Sequence, residues 1–229
     1  MISYSNLFWS VTLFVFIVSS SVAKNYKPEQ PNIVFILADD LGWADLPVYG
    51  NIFNEAPNID RLAIEGMRFT NAYAAAPVCS PTRASIQSGQ YPARIGMNDY
   101  IPGHWRPFEK VIVPENKNQY LQPEIETVGE SLKKAGYFTG YFGKWHLGKQ
   151  DATQPENQGY DMTYTYSGGG FYSPRFKPEP EKKYNGRLSE ILTEMSIDFM
   201  EEFHPKKTNK PFFLFLAHYD VHVQLDADK

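Results

Sequence analysis

The sequence of 229 residues has one cysteine, no excess of basic residues and no long apolar segment. The single cysteine, Cys79, excludes an intramolecular disulfide framework and a zinc site built only from thiolates. The 22 Lys and Arg residues against 26 Asp and Glu residues give a formal net charge of −4, which argues against nucleic-acid binding through a basic surface. The hydrophobic share of 42% and the charged share of 21% are ordinary for globular proteins and argue against disorder.

The longest apolar run lies near the amino terminus, at residues 7–18. It is shorter than the roughly 20 residues of a membrane-spanning helix, so we predict no stable membrane span. Ser21 and Ala23 fit a small-residue cleavage site, which predicts a signal peptide over residues 1–23 and a short linker over residues 24–31. The alternatives are a short membrane anchor or a buried N-terminal strand. The absence of an N-x-S/T sequon favours a periplasmic or secreted bacterial protein over a lysosomal one.

The rest of the chain alternates strand signals with helical signals. Three segments have the apolar character of strands in a parallel sheet: residues 32–38, 138–142 and 212–217. Helical signals lie between them: apolar spacing at Ile59, Leu62 and Ala63 before Gly66, a capping box from Thr127 to Glu130, and an apolar stripe over residues 188–199. This order predicts the α/β class, with a mostly parallel central sheet and helices on both faces.

Other segments are less regular. Residues 67–73 are a further candidate strand, and residues 100–123 and 150–185 are rich in proline or glycine and predict loops. No helix signal follows the apolar segment at 212–217 before the sequence stops at Lys229. We therefore expect residues 32–229 to be a truncated domain that lacks its C-terminal part.

Polar residues follow three of the predicted strands. Asp39 and Asp40 follow the first, Lys144 and His146 the second, and His222 lies shortly after the third. The carboxyl ends of parallel strands meet at one edge of a sheet, so these residues are expected to share a site. Adjacent carboxylates suit a hard divalent cation, and a lysine two residues from a histidine suits an anion that needs a proton donor. The alternatives are helix capping by one aspartate and ordinary surface charges.

The segment around Cys79 carries the most specific signal. Ser80 and Pro81 resemble an N-cap followed by proline at the first helical position, which places Cys79 at a helix N-terminus. Backbone N–H groups and the helix dipole favour an anion there. Arg83 lies one turn further and can donate two parallel hydrogen bonds to an oxyanion. A lone cysteine is usually a buried, inert residue, but this setting predicts a functional one.

These residues resemble the signatures of a known family. The segment Cys79–Arg83, read C-x-P-x-R, with Ser88-Gly89 resembles the first signature of the type I sulfatases, and residues 136–148 resemble the second. Two further segments are similar to the family's opening strand and next helix: residues 31–42 and 56–62. The chain is thereby identified as the N-terminal portion of a type I sulfatase, which implies an alkaline-phosphatase-like fold.

The resemblance implies hydrolysis of a sulfate monoester by a modified cysteine. Cys79 would be oxidised by a maturation enzyme to Cα-formylglycine (3-oxoalanine), whose hydrated form attacks the sulfur and later expels sulfate. Asp39, Asp40 and the modified Cys79 would bind one calcium ion, which polarises the sulfate. Arg83 would steady the formylglycine. The substrate would be a sulfated small molecule or a sulfated polysaccharide.

The remaining roles also follow from the resemblance. Lys144 would bind a sulfate oxygen, His146 would assist elimination of sulfate, and His222 would act near the leaving oxygen together with Lys144. Ser167 would donate a hydrogen bond to the hydrated aldehyde. The chain departs from the family on both sides of His222, because family members often have Pro-His-x-Pro there and this sequence has Val221 and Gln224 in place of the prolines. Family members are also much longer, and their remaining part supplies further metal ligands.

Two alternatives stay open at this point. A phosphonate or phosphodiester hydrolase of the same superfamily can also use the C-x-P-x-R cysteine, and the charge of the pocket distinguishes its substrates from sulfate monoesters. The second alternative is an inactive, truncated fragment that binds sulfated glycans. The extended signatures favour sulfate as the group that is cleaved.

Overall fold

The computed structural model describes residues 30–104, 110 and 114–223. The proposed signal peptide and most of the linker lie outside these residues. Five strands form one sheet in the order β1-β5-β2-β3-β4: β1 (Ile33–Leu37), β2 (Phe138–Gly143), β3 (Met162–Tyr166), β4 (Phe176–Lys177) and β5 (Phe212–Ala217). β4 runs antiparallel to β3, and the other neighbours are parallel. The predicted mostly parallel α/β sheet is therefore confirmed.

Six α-helices accompany the sheet in the described part of the chain: α1 (Pro57–Glu65), α2 (Cys79–Ser88), α3 (Pro92–Ile95), α4 (Val128–Lys134), α5 (Leu188–Glu202) and α6 (Pro205–Thr208). The capping box is confirmed, because the Thr127 hydroxyl accepts from Glu130 N at 3.1 Å and the Glu130 carboxylate accepts from Thr127 N at 2.8 Å. Four short 3₁₀ helices complete these elements: Trp43–Asp45, Pro47–Tyr49, Asp151–Thr153 and Pro155–Asn157. None of the described helices is long and apolar enough to cross a membrane.

Strand β5, which lies between β1 and β2, separates two apolar clusters. Phe213 and Phe215 point to one face, where Tyr141 and side chains of α2 and α4 pack against them. Leu214 and Leu216 point to the other face, which α5 covers. Burial of each such side chain contributes about 1.5–3 kcal/mol, so both faces hold β5 in place. This arrangement confirms helices on both faces of the sheet.

Two sequence-based expectations about strands are wrong. Residues 67–73 form no strand, and the side chains of Met67, Phe69 and Tyr73 are exposed. Conversely, the segment predicted to be loop at 150–185 contains β3 and β4. The alternation of polar and aromatic residues in β3 was the available signal, since its buried positions are threonines.

The start of α2 also differs from the expectation. The helix begins at Cys79, with Val78 as its N-cap, so Ser80 does not cap it. The Ser80 hydroxyl instead accepts a hydrogen bond from Ile101 N at 3.0 Å. Cys79 nevertheless lies in the first turn, as predicted, and the buried hydroxyl ties α2 to a loop that borders the site.

Strand β1 lies at an edge of the sheet. Among the residues that the structure describes, it pairs only with β5. Its side chains are also less covered than those of β5, since Val34 and Ile36 are exposed whereas every residue of β5 is buried.

Candidate active site

The carboxyl ends of four parallel strands form the platform of the site. Leu37 of β1 pairs with Ala217 of β5, Ala217 pairs with Gly143 of β2, and Gly143 pairs with Thr165 of β3. The polar residues that follow these strands consequently emerge at one edge of the sheet, as the sequence predicts. The backbones are joined further at this edge, because Asp39 N donates to the carbonyl of Asp220 at 2.9 Å.

Asp39 is the buried centre of the charge arrangement. Its Oδ1 accepts a hydrogen bond from Arg83 Nη2 at 3.1 Å, and its Oδ2 forms a short ion pair with Lys144 Nζ. Burial alone would raise the pKa of Asp39, but Arg83 and Lys144 outweigh this effect and hold the pKa below its usual value. The carboxylate is therefore ionised at neutral pH and anchors both cations.

Arg83 also fixes the backbone of Lys144. Its Nη1 donates to the Lys144 carbonyl at 2.6 Å, and the hydroxyl of Tyr141 donates to the same oxygen at 2.6 Å. Burial raises the pKa of Tyr141 to about 12, so the phenol remains a neutral donor. Tyr141 was not predicted from the sequence, because a contact with a backbone carbonyl leaves no motif.

Cys79 faces the ammonium group of Lys144. The distance from Lys144 Nζ to Cys79 Sγ is 3.5 Å. Burial raises the pKa of the Cys79 thiol, and the opposing effect of Lys144 does not compensate for it. The unmodified side chain is thus a protonated thiol at neutral pH and a poor nucleophile.

His146 is held by a loop distant in sequence. Its Nε2 lies 2.6 Å from the carbonyl oxygen of Ile101. A carbonyl only accepts, so Nε2 carries the hydrogen and Nδ1 keeps a lone pair. Nδ1 is buried and has no hydrogen-bond partner among the described residues. Burial lowers the pKa of His146, so the ring is neutral and presents a basic nitrogen.

Asp40, His222 and Tyr219 line the same cavity as Lys144. His222 Nε2 is 3.7 Å from the Asp40 carboxylate, and His222 Nδ1 donates to the carbonyl of Val223 at 2.6 Å. Lys144 Nζ lies 4.8 Å from the centre of the Tyr219 ring, which is a cation–π distance. Tyr219 is a second residue that the sequence did not reveal.

One cavity of about 910 Å³ connects these groups. Its lining includes most of the residues predicted for the site: Asp40, Cys79, Lys144, His146, Ser167 and His222. Asp39 and Arg83 do not line the cavity. They are buried behind it, and each contacts Lys144, which does line it. Ser167 contributes from the turn after β3, where its backbone N–H donates to the Arg175 carbonyl at 2.8 Å. The structure thus brings all of the predicted site residues together.

Three side chains of the site lie close enough together to share one metal ion. Asp39, Cys79 and His222 each offer an atom within 4.8 Å of the others. The carboxylate oxygens of Asp39 and Asp40 are the ligand type that a hard cation prefers, although calcium takes about six to eight ligands. Lys144 supplies the positive charge on Asp39 Oδ2 in this structure. A bound cation would compete with Lys144 for that oxygen.

The fold and this site define an α/β protein of the alkaline-phosphatase-like class. The solved structure of Ps i-CgsB superimposes with a TM-score of 0.74 at 30% identity, over 88% of this chain and 47% of that chain. A structure in complex with D-glucosamine-2-N,6-O-disulfate superimposes with a TM-score of 0.68 at 29% identity, over 85% of this chain and 35% of that chain. The PsFucS1 sulfatase from Pseudoalteromonas sp. superimposes with a TM-score of 0.63 at 25% identity, over 85% of this chain and 44% of that chain.

The sulfatase family model matches residues 31–229, so the chain belongs to the sulfatase family, as the N-terminal portion of a type I sulfatase. It is 33% identical to the N-acetylgalactosamine-6-sulfatase of Rattus norvegicus, over 88% of this chain and 41% of the relative. It is also 33% identical to an arylsulfatase of Hemicentrotus pulcherrimus, over 86% of this chain and 38% of the relative. The chain thus spans about two fifths of the length of these curated relatives.

Proposed function

We propose that this chain is the N-terminal part of an exported sulfatase that hydrolyses a sulfate monoester on a sulfated small molecule or polysaccharide. The single observation that carries the proposal is the placement of Cys79 Sγ 3.5 Å from Lys144 Nζ in the wall of the large cavity. In this proposal residues 1–23 are a signal peptide that directs the protein to the periplasm or outside the cell, and residues 32–229 are the catalytic domain.

We further propose that a maturation enzyme converts Cys79 to formylglycine. The hydrated aldehyde supplies the hydroxyl nucleophile that the thiol itself cannot provide. Two features support this assignment. Cys79 lines the cavity, and the raised pKa of its thiol leaves the unmodified residue without a thiolate at neutral pH.

Lys144 is the proposed anchor for the sulfate group. Its ammonium group faces Cys79, and its backbone is fixed by Arg83 and Tyr141, so the positive charge is held in place before a substrate arrives. Ser167 offers a hydroxyl from the cavity wall. When Lys144 turns towards the sulfate, Arg83 still neutralises the negative charge of Asp39.

The two histidines have different proposed tasks. His146 presents Nδ1 as a proton acceptor, because the Ile101 carbonyl fixes the hydrogen on Nε2. It therefore removes a proton from the hydroxyl that expels sulfate. His222 directs Nε2 towards Asp40, since its Nδ1 donates to the Val223 carbonyl. It therefore delivers a proton to the leaving oxygen from its doubly protonated form, with both ring nitrogens carrying hydrogen. Asp39 and Asp40 would hold the calcium ion, which contributes Lewis-acid polarisation when bound.

Mass spectrometry tests the modification. After co-expression with a formylglycine-generating enzyme, the tryptic peptide 69–83 is expected to contain an aldehyde in place of the Cys79 thiol, with loss of H₂S and gain of oxygen. The same chain made without that enzyme is the control and should keep the thiol. An unmodified Cys79 in the presence of active maturation enzyme would exclude this mechanism.

A thermal-shift titration tests the calcium assignment. Calcium is expected to raise the melting temperature of a longer form with a complete site by mass action, and Asp40→Asn should remove the shift. The 229-residue chain should respond little, because Asp39, Asp40 and Cys79 alone fall short of the roughly six to eight ligands that calcium takes. Asp198→Asn on α5 provides the control for loss of a carboxylate elsewhere. Tight calcium binding by the 229-residue chain that survives Asp40→Asn would contradict the assignment.

A further inference from the structure

The cavity extends far beyond the group that is to be cleaved. It reaches from Cys79 and Lys144 to Thr165 and Gly168 at the end of β3 and to Lys177 of β4. Its volume of about 910 Å³ is at the upper end for small-molecule pockets and far exceeds what one sulfate group occupies. The part near β3 and β4 is therefore available for the rest of the substrate.

A second lysine of the cavity, Lys177, lies two strands away from Lys144. Gly143, which precedes Lys144, pairs with Thr165, and Thr165 pairs with Lys177. Neighbouring strands are roughly 4.8 Å apart, so the backbone of Lys177 lies about 10 Å from that of Gly143 along the same edge. The Thr165 hydroxyl donates to the Lys177 carbonyl at 2.8 Å and holds the backbone of β4 at this position.

The charge of Lys177 is only weakly balanced. Its Nζ lies 3.4 Å from the carboxylate of Asp151, and the two side chains are 58% and 92% exposed. Exposed pairs of this kind contribute about 0–1 kcal/mol, so an anion in the cavity can replace Asp151 at little cost. Lys149 lines the same cavity and adds to its positive charge.

We propose that Lys177 forms a second anion subsite, and that the substrate is a polyanionic oligosaccharide with another sulfate or carboxylate on a ring next to the one that loses sulfate. The backbone of Lys177 lies about 10 Å from that of Gly143, which precedes Lys144, so a ligand that contacts both lysines extends well beyond one sulfate group. This inference rests on the proposed function, because it places the scissile sulfate at Lys144.

Binding measurements on the 229-residue chain test the subsite without requiring turnover. The probes are a monosulfated disaccharide and the same disaccharide with a second sulfate on the adjacent ring, measured by isothermal titration calorimetry. Lys177→Gln is expected to weaken binding of the disulfated probe roughly five- to tenfold and to affect the monosulfated probe much less. Lys206→Gln on α6, near the amino end of β5, is the matched control and should change neither.

The variants separate failure of the subsite from failure of the proposed function. Lys144→Gln should weaken both probes. If Lys144→Gln weakens both but Lys177→Gln weakens neither, or weakens both equally, the subsite is overturned and the proposed function stands. If Lys144→Gln changes neither, the cavity does not hold sulfate beside Cys79, and the proposed function and the subsite both fail.

Discussion

Replacing Arg83 by methionine is expected to lower the free energy of unfolding by about 3–5 kcal/mol. The Arg83 side chain is 3% exposed, and its two terminal nitrogens donate to Asp39 and to the Lys144 carbonyl. Methionine fills much of the space but leaves a buried carboxylate with one cation in place of two, and a carbonyl with one donor fewer. Urea unfolding followed by circular dichroism measures the loss.

Arg61 provides the matched control for this change. It pairs with Glu65 on α1 at 3.9 Å, and its side chain is 71% exposed. Arg61→Met is therefore expected to cost less than about 1 kcal/mol. Equal effects at the two positions would show that the buried charges of the site are not coupled to the stability of the fold.

Gly143→Ala is expected to have the second large effect, because this position admits no side chain. Its backbone φ is +106°, and a Cβ built on it would overlap the carbonyl oxygen of Ala217. The same oxygen accepts the hydrogen bond of Lys144 N at 2.9 Å. Alanine would thus separate β2 from β5 at the edge that carries the site. We expect a loss of more than about 4 kcal/mol or failure to recover folded protein.

Gly136→Ala separates backbone strain from steric overlap. Gly136 has a similar φ of +94°, but a Cβ there would meet no atom within 4 Å. Only the conformational cost of about 1–3 kcal/mol should appear at this position. Urea unfolding of both variants gives the comparison, and a loss at Gly143 no larger than that at Gly136 would contradict the steric account.

The sequence predicts the apolar strands of the sheet well and the others poorly. β1 and β5 are continuous apolar runs and β2 is rich in aromatic residues, and short segments of this kind in an α/β pattern are typical of strands in a parallel sheet. β3 buries threonines, and β4 has only two residues, so neither differs much from a loop. The opposite error occurred at residues 67–73, where the sequence predicted a strand that does not form. Their apolar side chains are exposed and have no strand partner among the described residues.

The sequence likewise predicts some parts of the site and misses others. Asp39, Lys144 and His222 come together because the carboxyl ends of their strands meet at one edge of the sheet. This proximity could be predicted once the sequence indicated parallel strands. The ion pairs of Arg83 with Asp39 and the neutral state of His146 depend on distances and burial that no motif encodes. Tyr141 reaches the site through a backbone carbonyl, which makes its contribution invisible in the sequence.

The outer side of β1, which no described strand covers, bears on how the 229-residue chain behaves in concentrated solution. The strand Ile33–Leu37 contains neither a charged residue nor a proline, which are devices that keep edge strands from pairing with other molecules. Its backbone groups on the outer side meet no strand in the described part of the chain, so a second molecule can extend the sheet there and begin an aggregate. A lysine in place of Ile36, whose side chain is 61% exposed, would supply the missing protection.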